Sequence, residues 1–284
     1  MNRVLKLVLL SAVFAIACNK ARTDSIKIAN IGVRAYEKGD FDHAMHIFRS
    51  SIHLYKKNAK SHYHLGLILL YQKNNPETAA NEFKKAIEYD PNLTAAMFQL
   101  GRASFQMGKM DTAKKYLSIA IEKGADLPGP YYWLGRIEQK SGKLNTADNY
   151  YRKAIRQDPS YSRAFIALAN LYQETAAYPQ AIKVLKEDLR INPKDADGHE
   201  KLGLIYLKLA QYKKAESEFR DSLANNPGNI MDYLNLASAL VGRQNYREAA
   251  FYVKRFVLEA KGKLIVYVAP AKTMYNKIIE LANR

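Results

Sequence analysis

The hydrophobic positions of this chain repeat on two scales, that of a helix turn and that of a helical hairpin. Ala44, Ala79, Ala113, Ala147, Ala181, Ala215 and Ala249 are separated by 35 residues once and by 34 thereafter. Twelve residues before each, or thirteen in the second case, stands a small residue: Gly32, Gly66, Gly101, Gly135, Ala169, Gly203 and Ala237. One position earlier comes a large aliphatic: Ile31, Leu65, Leu100, Leu134, Leu168, Leu202 and Leu236. Within a unit, large residues at positions 4, 7, 17 and 24 draw the stripe of an amphipathic helix, as Tyr131, Leu134, Leu144 and Tyr151 do in the fourth unit, where Glu138 interrupts at position 11. The pattern predicts seven consecutive helix–turn–helix units at 25–58, 59–93, 94–127, 128–161, 162–195, 196–229 and 230–263.

Each recurring residue type has a steric reason. A small side chain at position 8 lets the two helices of a unit approach closely, and the Ala of the second helix fills the facing slot with a methyl group. A larger residue there would overpack the contact by about 1–3 kcal/mol. Pro91, Pro159, Pro193 and Pro227 close four units, because Pro neither continues the helical ladder nor tolerates helix just before it. Pro76 and Pro179 stand near the start of a second helix, where a missing N–H does no harm. The one extra residue falls in the Asn74-Asn75-Pro76 turn. Asp188 and Phe256 depart from the small residue expected at position 27, and Lys261 replaces a closing Pro. After the seventh unit the β-branched run Leu264 to Val268 reads as an extended link. Pro270 then opens a last helix at 271–283, with Met274, Ile278 and Leu281 on one stripe and Lys272 and Lys277 toward water. This segment, 264–284, reads as a cap over the end of the array.

The 34-residue register resembles the tetratricopeptide repeat, over residues 25–263. The resemblance implies an all-α fold, a right-handed α-solenoid of about seven repeats with a C-terminal capping helix. It implies a concave groove lined by the first helices and protein–protein recognition through that groove or the outer faces. Read onto this sequence, the groove positions are Tyr63, His64, Tyr71, Phe98, Arg102, Phe105, Tyr132, Trp133, Arg136, Arg163 and Asn170. Such an aromatic and arginine surface suits a peptide with apolar anchors and acidic side chains, or a free C-terminus. The carboxylate clamp of chaperone-binding members needs Lys, Asn and Arg at set positions of three consecutive units. No three units here supply it, since the fourth has Tyr132 and Arg136 and the fifth has Arg163 and Ala167.

The N-terminus carries an address. Arg3 and Lys6 precede the apolar run Leu7 to Ala17, and Cys18 follows at once, so residues 1–17 read as a signal peptide. Ala15-Ile16-Ala17-Cys18 resembles a bacterial lipobox, in which the Cys becomes lipidated, although Ala15 stands where Leu is usual. The alternatives are an ordinary cleaved signal with an incidental Cys, and an uncleaved anchor. The lipobox reading makes 18–24 a lipidated Cys and a short polar tether. It also implies attachment in the bacterial cell envelope, with Asn19 favouring the outer membrane and a periplasmic face.

Composition narrows the chemistry. A single Cys rules out a disulfide framework and a Cys-rich zinc site. The net charge of +17 is spread along the array, which favours acidic partners through steering and points away from nucleic acid, where a basic stripe is usual. His43, His46, His53, His62 and His64 crowd one stretch but occupy different helix faces, so no metal is implied. Neither a catalytic motif nor a leftover domain appears, and no cofactor is called for. The sequence therefore reads as a non-enzymatic, lipid-anchored adaptor. The nearest analogues are tetratricopeptide lipoproteins that serve as secretin pilotins or as adaptors for peptidoglycan hydrolases. The competing readings are a surface-exposed lipoprotein that binds host or matrix molecules, and a self-associating scaffold.

Overall fold

The computed structural model describes residues 3–260 and 264–283, which are helical without a strand among them. The first helices are α1 (Arg3–Glu37), α2 (Phe41–Leu54), α3 (Ala59–Tyr71), α4 (Pro76–Tyr89), α5 (Thr94–Gln106), α6 (Met110–Glu122) and α7 (Pro128–Lys140). They are followed by α8 (Leu144–Gln157), α9 (Ser162–Glu174), α10 (Tyr178–Ile191), α11 (Ala196–Lys208) and α12 (Tyr212–Asn225), and then by α13 (Met231–Gly242), α14 (Tyr246–Glu259) and α15 (Ile265–Ala282). The chain divides within α7 into two compact bodies, Met1–Ile137 and Glu138–Arg284. In each body consecutive helices pack as antiparallel hairpins and each hairpin packs on the next, the architecture of a solenoid.

The repeat positions do the packing expected of them. All seven recurring alanines, Ala44 to Ala249, are fully buried. A Cβ on Gly32 would lie 2.7 Å from Phe48, one on Gly66 2.5 Å from Phe83, and one on Gly203 2.8 Å from Phe219. The glycines at position 8 are thus seats for the large residue at position 24. Where position 8 is Ala169 or Ala237, position 24 is the slimmer Leu185 or Val253, also fully buried. Ile31 alone of its set is exposed, at 47%, because the first unit has no predecessor to pack on. Between the two helices of each unit the chain takes a left-handed residue: Gly39, Asn74, Gly108, Gly142, Ala176, Ala210 or Gln244. Asn58 and Asn75 cap the starts of α3 and α4 through Ser61 N and Thr78 N, and Pro76 is the first residue of α4.

Position 27 faces the seam between one unit and the next, and its filling varies. Ala86, Ala120 and Ala154 are fully buried, and so is Phe256. In the first seam Ser51 Oγ lies 2.9 Å from Ser25 Oγ and 2.8 Å from Ser61 Oγ, with Asn58 Nδ2 donating to Ser25 Oγ at 2.8 Å. In the seam between α12 and α13, Ser222 Oγ donates to Asp232 Oδ2 at 2.6 Å, and Asn229 and Asn235 each donate to Asp232 at 2.9 Å. Asp188 is completely buried. Its Oδ1 accepts from Ser162 Oγ at 2.9 Å and Asn192 Nδ2 at 2.8 Å, while its Oδ2 has no partner and neither has the buried Asp195 Oδ2. Both free oxygens crowd Gly198, where a Cβ would meet them at 3.2 and 3.0 Å. Burial, aided by Asp195, pushes the Asp188 carboxyl up to about 6 against the bonds from Asn192 and Ser162.

Residues 19–24, read as a short polar tether, are helical and continue α1. One expectation is corrected. The link read as extended at Leu264 to Val268 is the first part of α15, and Pro270 stands inside that helix instead of opening it. Pro270 forfeits one bond, to the carbonyl of Val266, a residue 73% exposed and so open to water. The predicted stripe holds: Ile278 is buried, Met274 and Leu281 are half-buried, Lys272 and Lys277 are exposed, and α15 packs on α14. Lys261 lies outside the described residues, as do the side chains of the signal-peptide call before Ala17. Among the described residues no helix is long and apolar enough to cross a membrane.

Candidate functional site

In the first body the first helices bring six of the predicted residues together. Tyr71 ends α3, Arg102 and Phe105 lie one turn apart on α5, and Tyr132, Trp133 and Arg136 share a face of α7. The Arg102 guanidinium sits 4.4 Å from the Tyr71 ring centroid and 5.3 Å from that of Trp133. Its Nη1 donates to Tyr71 Oη, which in turn donates to Gln99 Oε1 at 2.7 Å. The Arg136 guanidinium lies 5.3 Å from the centroids of both Phe105 and Trp133, and its Nη1 donates to Tyr132 Oη at 3.2 Å. Trp133 thus has two guanidiniums near its ring, with Phe105 tilted against it at 5.0 Å and Tyr132 edge-on at 5.3 Å.

This arrangement has a chemical consequence. Stacking on aromatic faces holds a guanidinium in place while leaving its edge N–H groups available. Among the described residues neither arginine pairs with a carboxylate, and Arg102 Nε is buried without an acceptor. Two fixed cations with unused donors, set in an aromatic wall, match an acidic side chain or a terminal carboxylate flanked by apolar groups.

The other predicted residues are placed differently. His64 stacks on Phe48 at 5.2 Å and meets Tyr36 and Tyr63 edge-on. Burial, with Lys60 nearby, lowers its pKa to about 4, so it is neutral at pH 7, and its Nδ1 is buried without a partner. Tyr63 packs between His64 and Phe83 at the edge of the core. Phe98 turns to the Met97, Ala120 and Ala125 cluster and abuts Gly129, where a Cβ would lie 2.6 Å from its ring. Arg163 and Asn170 belong to the second body, exposed and half-buried respectively. Gln99, which the repeat register also places at a groove position, is the acceptor at the end of the Arg102–Tyr71 chain.

One group of metal-type donors occurs among the described residues: His199, Glu218 and Asp221, whose nearest ligand atoms lie within 4.8 Å of one another. Both nitrogens of His199 are already engaged, Nδ1 with Glu218 Oε2 at 2.8 Å and Nε2 with the Pro193 carbonyl at 3.2 Å. The bond to Glu218 raises the His199 pKa despite burial, with the carbonyl assisting. The triad is thus explained as a proton-holding latch between α11, α12 and the preceding loop.

Models of the tetratricopeptide repeat match residues 70–137, 139–205 and 196–229. The chain belongs to the tetratricopeptide repeat family. Solved structures agree in fold. Yeast Tom70 is 17% identical with a TM-score of 0.66, over 91% of this chain and 56% of that one. A chain of the APC/C hetero-tetramer Cut9–Hcn1 is 18% identical with a TM-score of 0.63, over 80% of this chain and 45% of that one. PilF of Pseudomonas aeruginosa is 16% identical with a TM-score of 0.60, over 76% of this chain and 96% of that one. This tetratricopeptide chain therefore spans about half the length of the Tom70 and Cut9–Hcn1 chains. No curated protein matches it. Tetratricopeptide folds are scaffolds for protein–protein interaction.

Proposed function

We propose that the chain is a non-enzymatic adaptor, lipid-anchored through Cys18 on the periplasmic side of a bacterial envelope membrane, that captures a protein segment bearing acidic and apolar side chains. The observation that carries the capture is the pair of guanidiniums around Trp133, positioned and without a carboxylate partner among the described residues. The anchor reading is supported by the apolar run before Cys18 and by the exposure of Cys18 on α1. Six helical residues separate it from Ser25, the first fully buried residue of the described array, a rise of about 10 Å. The first body would therefore lie close to the membrane face.

The test keeps the anchor and reverses the surface. Full-length chain carrying Arg102→Glu and Arg136→Glu is compared with the unaltered chain by in-cell crosslinking and mass spectrometry. Loss of the specific crosslinks, with membrane retention unchanged, is the expected result. Undiminished crosslinks reject the surface as the capture site. A Cys18→Ser chain should leave the membrane fraction and lose acyl label; retention without acylation rejects the lipid anchor.

A further inference from the structure

A second surface of the first body is basic and differs from the aromatic–arginine one. Arg49, Ile52 and His53 on α2, Lys56 in the following loop, His62 on α3, and Lys85 and Tyr89 on α4 surround a recess of about 400 Å³. Its floor is rigid. Buried His62 bonds Glu82 Oε2 through Nδ1 at 2.6 Å and the Lys56 carbonyl through Nε2 at 2.9 Å, which fixes the loop that carries Lys56. Glu82 also accepts from Lys85 Nζ at 2.9 Å, so the carboxylate beside the recess is shared by two neighbours already. Arg49, His53 and Lys56 have no hydrogen-bond or ion-pair partner for their side chains among the described residues. Arg49 and His53 lie one turn apart on α2, and Lys56 in the loop that follows lines the same recess, so two cationic side chains share it with Lys85. A helix C-terminus accommodates a nearby cation. Basic groups drawn from α2, a loop and α4 around one recess exceed that need, and they describe a seat for an anion.

The location identifies which anion. The C-terminal end of α2 lies beside the N-terminal part of the array, since Ser51 Oγ meets Ser25 Oγ at 2.9 Å and Asn58 Nδ2 reaches the same Ser25 oxygen at 2.8 Å. Cys18 is seven residues before Ser25 on the same helix. We infer that the Arg49–Lys56–Lys85 recess binds the phosphate of an anionic phospholipid headgroup and holds the first body against the membrane surface. The placement rests on the anchor proposed at Cys18. Ile52 and Tyr89, both half-buried, give the recess apolar walls against which the glycerol side of a headgroup can lie. A juxtamembrane basic residue strengthens attachment to an anionic leaflet by a factor of about five.

The test is lysine footprinting of the full chain on phosphatidylcholine vesicles, with and without phosphatidylglycerol, read by mass spectrometry. Lys56 and Lys85 should label several-fold more slowly when phosphatidylglycerol is present, whereas Lys213 and Lys214 on α12 of the second body should not change. Arg49→Ala should raise the phosphatidylglycerol content needed for half-protection about fivefold. A Lys213→Glu, Lys214→Glu chain, altered more in net charge, should behave as the parent. Equal labelling on both vesicles overturns the inference. So does protection by millimolar inorganic phosphate on phosphatidylcholine alone without a further effect of phosphatidylglycerol, which would make the recess a site for a soluble phosphate compound. Intact mass of the same sample reports acylation of Cys18, so failure of the anchor is distinguishable from failure of the recess. Lipid-dependent protection of an unacylated chain would support the recess and refute the anchor.

Discussion

Asp188 offers the sharpest test of how the seams are built. The perturbation is Asp188→Ala, which installs the residue found at the same position in three other units, Ala86, Ala120 and Ala154. Removing the carboxyl deletes the bonds from Ser162 and Asn192 at every pH, a constant loss of about 1 kcal/mol each. It also removes a group whose carboxyl titrates near 6 in the folded chain instead of 3.8. A raised carboxyl pKa means that the folded state holds its proton longer than the unfolded one. The parent is therefore most stable below the unfolded value and loses stability as pH rises through the folded value. At about 1.36 kcal/mol per unit the ceiling on that loss is about 3 kcal/mol, and water around the half-exposed Ser162 and Asn192 reduces it to about 1.5 kcal/mol. Thermal melts followed by circular dichroism should thus show the variant gaining on the parent between about pH 4 and about pH 7, by about 3–6 °C for a body of this size. His199, whose pKa is also raised, adds a slope of the same sign that both proteins share. Parallel stability curves would refute the assignment of a protonated carboxyl to this seam.

Three further outcomes are expected. Gly66→Ala should cost about 1–3 kcal/mol in urea unfolding, because its Cβ falls 2.5 Å from the Phe83 ring, and Phe83→Leu should recover most of the loss by recreating the Ala169–Leu185 pairing; additive losses would count against the seat model. Ala210→Gly should stabilise the second body by about 1 kcal/mol, since Ala210 sits at φ 55°, and an unchanged urea midpoint would contradict the strain argument. Partner capture should be flat from about pH 8 to about pH 5.5, because guanidiniums do not titrate there and His64 is already neutral; binding that strengthens on acidification would assign His64 a charged role that its burial argues against.

The hairpins were legible in the sequence because their determinants are local. A glycine seat, a buried Ala and a unit-closing Pro recur at fixed offsets, and each acts within one hairpin or on the next. The element misread was one where the local cue was weak: a β-branched run before Pro270 carries no strand partner to keep it extended. Of the groove residues, Tyr71 on α3, Arg102 and Phe105 on α5, and Tyr132, Trp133 and Arg136 on α7 came together. Phe98 went to the core side because Gly129 leaves room for its ring, a contact between units that no single-unit pattern encodes. The basic recess was hidden for the same reason: its cations come from three elements, and the histidine crowd concealed that His53 and His62 face one space while His43 and His46 stand exposed elsewhere on α2.

The varied filling of position 27 makes the hairpins non-interchangeable parts. A copy of the first hairpin moved to a seam built around Ala120 would bring Ser51 among alkyl neighbours without its companions at Ser25, Ser61 and Asn58. Transplanting the hairpin of Asp188 would strand an acid in the same way. Each polar joint is thus keyed to one successor, so that shuffled or duplicated hairpins would be rejected while the native order assembles.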